Sequence, residues 1–176
     1  MSRLPDPGTA TMTPAQRAIL DGRGGRATGP SAVLMWVPEI AVPADALIAM
    51  LRNGKLDRRL YRVMCMTIAR RWSADYVFNL HAAGALEAGV PAAVVEAIRT
   101  RAVPPFTRDD ERLVYELVTE LLETHQLAAI TYERAIAAMG LEHTIELVTG
   151  IGIYSTICML LRAFDVTVPE GERQLP

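Results

Sequence analysis

From Asp57 to Arg71 the chain reads DRRLYRVMCMTIARR, and apolar side chains recur there at helical spacing. Leu60, Met64, Ile68 and then Trp72 form one stripe. Val63, Met66 and Ala69 widen it enough to predict burial on more than one side. Such a helix needs other helices around it. No region shows convincing period-two alternation, the signature of a half-buried strand. The expectation is an all-α architecture with helices joined by short loops.

A second apolar pattern meets the first at Trp72-Ser73. Ser73 is the natural cap for a helix holding Tyr76, Val77, His81 and Leu86, and Gly89 ends it. Upstream, Thr13-Pro14-Ala15-Gln16 combines a capping Thr, a Pro suited to the first turn and a Gln that completes a capping box. That helix is stopped by Gly22, Gly24 and Gly25, and residues 22–30, GRGGRATGP, form a flexible loop. The loop lacks GxGxxG, a P-loop lysine and a preceding strand, so it reads as a connector, with a lid or an oligomer contact as further roles. Residues 31–41 form a short helical turn broken at Pro38, with Trp36 turned inward, and a helix follows from Ala44 to Arg52.

Pro91 introduces a helix over 92–100. Thr107 caps a long one whose first turn is Asp109-Asp110-Glu111, acids that suit the positive end of the helix dipole. Its buried face carries Leu113, Leu117, Leu121 and Leu122. Thr131 caps a helix that stops at Gly140, and the last helix covers 142–164. Residues 1–12 read as a flexible lead-in, 13–168 as one domain and 169–176 as a polar tail.

A chain of 176 residues, 51% apolar and 22% charged, suffices for one substantial core and excludes a disordered composition. The net charge of −2 and scattered basic residues give no electrostatic case for nucleic acid or an anionic membrane. The start has no apolar export segment, so a cytoplasmic location is the expectation. The longest uncharged run, 147–161, is shorter than the ~20 residues a span needs and reads as a buried core helix. Cys65 and Cys158 lie in apolar helical surroundings, as two reduced core thiols would.

No HExxH, CxxC or EF-hand loop is present, and His81, His125 and His143 make no metal-ligand spacing. No metal and no cofactor is expected. GxSxG is absent, and neither cysteine has a neighbouring base. His125 suits the end of its helix as a cap or surface residue, and His143 reads as exposed. Arg62 is placed to pair with a carboxylate across the bundle, and Tyr154 to pack with its hydroxyl satisfied. His81 reads either as a hydrogen-bonded core histidine or as an acid–base group facing an apolar pocket.

The order of motifs bears on that choice. ARRWSADYVFNLHAAGALEAGVP (69–91) resembles the central motif of the carboxymuconolactone decarboxylase family, in which a helix ending Ala-Arg-Arg-Trp leads through a Tyr to a His and then Ala…Ala-Gly. ITYERAIAAMG (130–140) and ELVTGIGIYSTICMLLRAFDV (146–166) resemble its closing helices, and TPAQRAILDGRGG…GPSAVLMWVPEIA (13–41) its entry segment. The resemblance covers residues 13–168. It implies an alkylhydroperoxidase D-like helical bundle, assembled as a trimer or hexamer with pockets near subunit interfaces. It also implies a cofactor-independent lyase that removes CO2 from a small carboxylated lactone or keto acid.

By position, the family's relay His matches His81. The CxxC positions of related thiol peroxidases fall on Ala74 and Val77, so peroxidase chemistry by that route lacks both sulfurs. The family's acidic residue aligns with Arg62, and a Gln before the last-helix Tyr aligns with Ile153. The resemblance then implies His81 as general acid/base, with Arg62, Tyr154, Val77 and Trp72 around a carboxylic acid substrate. An arginine that grips the departing carboxylate stabilises the ground state, so Arg62 is expected on a different acid group. The alternative is a family member without catalysis that binds a small acid or serves assembly.

Overall fold

The structure is a computed structural model, and it describes residues 2–8, 10–168 and 171–176. Among them lie eight helices and no strand: α1 (Pro14–Asp21), α2 (Pro30–Leu34), α3 (Pro38–Arg52), α4 (Arg58–Arg71), α5 (Asp75–Glu87), α6 (Ala92–Thr100), α7 (Asp109–Thr124) and α8 (Ala129–Ala163). The all-α expectation holds.

α4 is the axis of the molecule. Every residue from Leu60 to Arg70 is buried except Arg62, and Val63, Cys65, Met66, Ile68 and Ala69 are wholly enclosed. α5, α6, α7 and α8 all pack against it. Each large aliphatic side chain buried this way contributes roughly 1.5–3 kcal/mol. Burial on several sides is thus what the widened stripe encodes.

The capping box of α1 forms as expected: Gln16 N–H donates to Thr13 Oγ1 at 3.3 Å, and Thr13 N–H donates to Gln16 Oε1 at 2.9 Å. Gln16 Nε2 also donates to the Trp36 carbonyl at 2.9 Å, which fastens α1 to the turn between α2 and α3. Gly89, at φ 91°, ends α5, and the backbone breaks at Gly140 (φ 76°, ψ 172°), where a stop is expected inside α8.

Three caps differ from expectation. Ser73 does not cap α5; Ala74 holds that position, and Ser73 takes a left-handed φ of 49°. The reason lies in α4: Ser73 N–H donates to the Arg70 carbonyl and Ala74 N–H to the Ala69 carbonyl, the paired bonds of a Schellman ending. Ser73 therefore closes the helix before it. Thr107 lies one position ahead of the α7 cap, Arg108. Thr131 is inside α8, and its hydroxyl donates to Glu120 Oε2 at 2.6 Å. α3 also begins earlier than expected, at Pro38, because a proline in the first turn sacrifices no helical hydrogen bond. Pro43 is tolerated within it on an exposed face, where water reaches the carbonyl its missing N–H leaves free.

The chain ends are engaged. Arg3 N–H donates to the Phe164 carbonyl at 3.0 Å and its Nη1 to the Ala163 carbonyl at 3.1 Å, satisfying the C-terminal end of α8. Leu175 N–H donates to Asp75 Oδ1 at 2.6 Å, Arg173 pairs with Glu96 at 2.7 Å, and Arg70 Nη2 donates to the Pro176 carbonyl at 2.8 Å. Residues 1, 9, 169 and 170 of the expected lead-in and tail lie outside the described residues. α8 is long and apolar enough to cross a membrane by length and composition, with mean hydropathy 1.6, and 44% of its most apolar window is buried inside the fold.

Candidate functional site

α4, α5 and α8 bring Tyr61, Arg62, Val77, His81 and Tyr154 to one wall of a cavity of about 680 Å³. α3 adds Asp45, Ile48 and Arg52 to the lining, and the 22–30 loop adds Arg23 and Arg26. The loop expected to act as a connector thus forms part of the wall. Four of the five residues singled out from sequence meet here, namely His81, Arg62, Tyr154 and Val77. Trp72 is not among the residues lining the cavity; it caps the far end of α4, 36% exposed, and lies about 15 Å along the helix axis from Arg62.

His81 is 3% exposed, and its Nδ1 stands 3.0 Å from Arg62 Nη1. A guanidinium only donates, so Nδ1 accepts and the ring proton sits on Nε2. Burial foremost, and then the Arg62 charge, push the imidazole pKa down to about 3. His81 is a neutral group at physiological pH, and it is hydrogen-bonded as well as cavity-lining.

Two phenols flank it. The His81 and Tyr154 ring centroids are 5.1 Å apart with planes at 86°, and Tyr61 lies 5.7 Å away, both edge-on. The Tyr61 and Tyr154 hydroxyls hydrogen-bond each other. Burial raises both phenol pKa values, so both stay protonated. One of the two protons is used between them; the other can turn to the Cys65 sulfur or to an acceptor in the cavity. Cys65 lies behind this pair within hydrogen-bonding reach of both hydroxyls, and burial pushes its thiol well up. Burial likewise pushes Cys158 up to about 12, and both cysteines are free.

Arg62 departs from the expected carboxylate pairing. Among the described residues no carboxylate forms an ion pair with it, and its buried Nε has no hydrogen-bond partner. Its guanidinium lies against the backbone of Gly84, where an added Cβ would come within 2.5 Å of Cζ. The wall carries four arginines, Arg23, Arg26, Arg52 and Arg62, against one carboxylate, Asp45, which pairs with Arg23. A partly enclosed space of this charge favours a small anion.

Sequence reasoning missed Tyr61, Arg52 and the loop arginines as wall residues, and Gly84 as the seat of the Arg62 guanidinium. For Tyr61 a signal existed in its place beside Arg62; for the others none did, since their role depends on which helices face one another. His143, read as exposed, is half-buried, with Nδ1 2.7 Å from the Met139 carbonyl, and His125 caps α7 at a left-handed φ of 62° on the surface. Among the described residues no group of three or more His, Cys, Asp or Glu is arranged to hold a metal ion.

No family model matches the chain, nor does any curated protein or solved structure compared with it.

Proposed function

We propose that the protein is a cofactor-independent lyase or isomerase of the carboxymuconolactone decarboxylase type, in an alkylhydroperoxidase D-like bundle. Its substrate is a small carboxylated lactone or keto acid, and His81 is the acid–base group. One observation carries the reading: a neutral, buried imidazole on a cavity wall between an unpaired arginine and two protonated phenols.

Each neighbour has a role in such chemistry. Arg62 and Arg52, both in the cavity wall, serve to hold a carboxylate that stays on the substrate, leaving the reacting carbon to His81. Negative charge that develops on a carbonyl oxygen, when a C–H or C–CO2 bond breaks, is met by the spare proton of the Tyr61–Tyr154 pair. Val77 and Ile157 add apolar surface to the wall beside His81, which strengthens the contacts it shields from water. Once Nδ1 is released from Arg62, the neutral imidazole can take a substrate proton and return it to another carbon in an isomerisation; in a decarboxylation the proton that quenches the carbanion comes from water by way of Nδ1.

A trimer or hexamer belongs to the same proposal. Leu141, Ile145, Val148 and Met159 stand exposed at helical spacing along α8, a surface suited to burial against other copies.

The test is turnover of a panel of small carboxylated lactones and keto acids, followed by CO2 release and by solvent-deuterium incorporation. His81→Ala is expected to abolish either signal; unchanged turnover in that variant would overturn the role of His81. The occupied Nδ1 favours a second reading, binding without catalysis. A ligand recovered unchanged and undeuterated from the wild-type protein would establish it.

A further inference from the structure

Two features of the Arg62–His81 contact are unusual together. The arginine donates to the very nitrogen that a neutral Nε2–H imidazole would use as a base. The same arginine has no carboxylate partner among the described residues, and its Nε is buried without a hydrogen bond. Apart from the Tyr61 ring, whose centroid lies 5.8 Å from Cζ, the half-buried guanidinium has no anionic partner among the described residues, and a carboxylate or phosphate oxygen is a stronger acceptor for it than an imidazole nitrogen. It reaches His81 because residue 84 has no side chain: a Cβ there would stand 2.5 Å from Cζ and 2.6 Å from Nε.

We infer that Arg62 is a displaceable cap on Nδ1 of His81, seated on Gly84, and that an anionic ligand binding the guanidinium uncaps the imidazole as a base. The base is then exposed only when an acid occupies the cavity. This rests on the proposed reading only in taking the ligand to be an anion and His81 to be the proton acceptor. Gly84 is a positioning residue, acting through Arg62.

The electrostatic surroundings leave Arg62 as the controlling charge. From α4 the imidazole also faces Tyr61 and, behind it, Cys65; from α8 it faces Tyr154, and all three are held neutral. Arg52 and Arg26 also line the cavity, and Asp45 is engaged by Arg23. Neutralising Arg62 with an anion removes the repulsion that opposes protonation and frees the acceptor nitrogen, so the proton affinity of His81 rises. Linkage then requires that the anion bind more tightly as pH falls.

The experiment is imidazole 15N NMR on the full chain, with the His81 signal assigned by its loss in His81→Gln. The ligand-free protein is expected to show an Nε2–H tautomer that does not titrate above about pH 4. Saturation with the anions of phosphoric or sulfuric acid, which keep their charge down to about pH 3, should shift the Nδ1 resonance and raise the midpoint by about one pH unit or more. Arg62→Gln should raise it without any ligand. Gly84→Ala should do the same while circular dichroism stays native; should that variant fail to fold, Arg62→Gln decides the point. An Nδ1–H tautomer in the free protein overturns the proposal, as does a midpoint indifferent to Arg62→Gln. Binding that leaves the Nδ1 resonance unmoved, or no binding of either anion, overturns the uncapping step. Because no turnover is measured, failure of the lyase reading leaves these outcomes interpretable.

Discussion

Acid should unfold this protein through His81 before its carboxylates are fully protonated. The perturbation is a fall in pH from neutral to about pH 4. In the fold the imidazole pKa is lowered from 6.5 to about 3, burial being the larger cause and Arg62 the second. The unfolded chain therefore takes up a proton that the native chain refuses. Stability is full above the unfolded value of 6.5, declines as pH drops below it, and levels off below about pH 3. At about 1.4 kcal/mol per tenfold of proton affinity, the native state loses roughly 3 kcal/mol by pH 4 through this one group. The assay is urea unfolding of wild type and His81→Gln across that range, at one protein concentration so that any assembly equilibrium is held fixed. With a slope of about 2 kcal/mol per molar urea, the wild-type midpoint should fall by roughly 1.5 M more than the variant's. Parallel midpoints across the range would refute the burial of a neutral His81 capped by Arg62.

Three further outcomes follow from other contacts. Glu111 is fully buried and its Oε1 lies 2.7 Å from Arg59 Nη1, so Arg59→Ala leaves the carboxylate only a 4.0 Å contact to the exposed Arg108 and should cost about 3 kcal/mol in thermal unfolding. Tyr154→Phe leaves the buried Tyr61 hydroxyl without its phenol partner; a loss of about 1–3 kcal/mol is expected, and an unchanged melting curve would count against the pair. Cys65 and Cys158 are enclosed with raised thiol pKa values, so a thiol reagent such as DTNB should modify neither until denaturant is added.

The His81 cavity shows how much of a candidate site can be seen before the fold is known. His81, Val77 and Arg62 stood out because each occupies a conspicuous place in an apolar helix. What they do to one another was not visible. Nineteen positions separate Arg62 from His81, and 93 separate Tyr61 from Tyr154. Trp72 joined that set only through the resemblance, and it caps the far end of α4, outside the cavity that Arg62 lines. Periodicity assigns a residue to a face and leaves open which neighbour that face meets at a given height.

Elements whose causes are local were legible in the chain itself. The Thr13–Gln16 capping box, the stops at Gly89 and Gly140 and the all-round burial of α4 each follow from residues a few positions apart. Ser73 marks the boundary of that knowledge. Its side chain suits the start of α5, but the backbone bonds that end α4 claim the position first, so competition between two adjacent helices settles it. The tertiary structure alone decided the cavity: how α4, α5 and α8 cross sets the imidazole against a guanidinium, and the missing side chain of Gly84 lets them meet. Short-range propensity forms the helices, while the charge on His81 depends on packing between segments far apart in the chain.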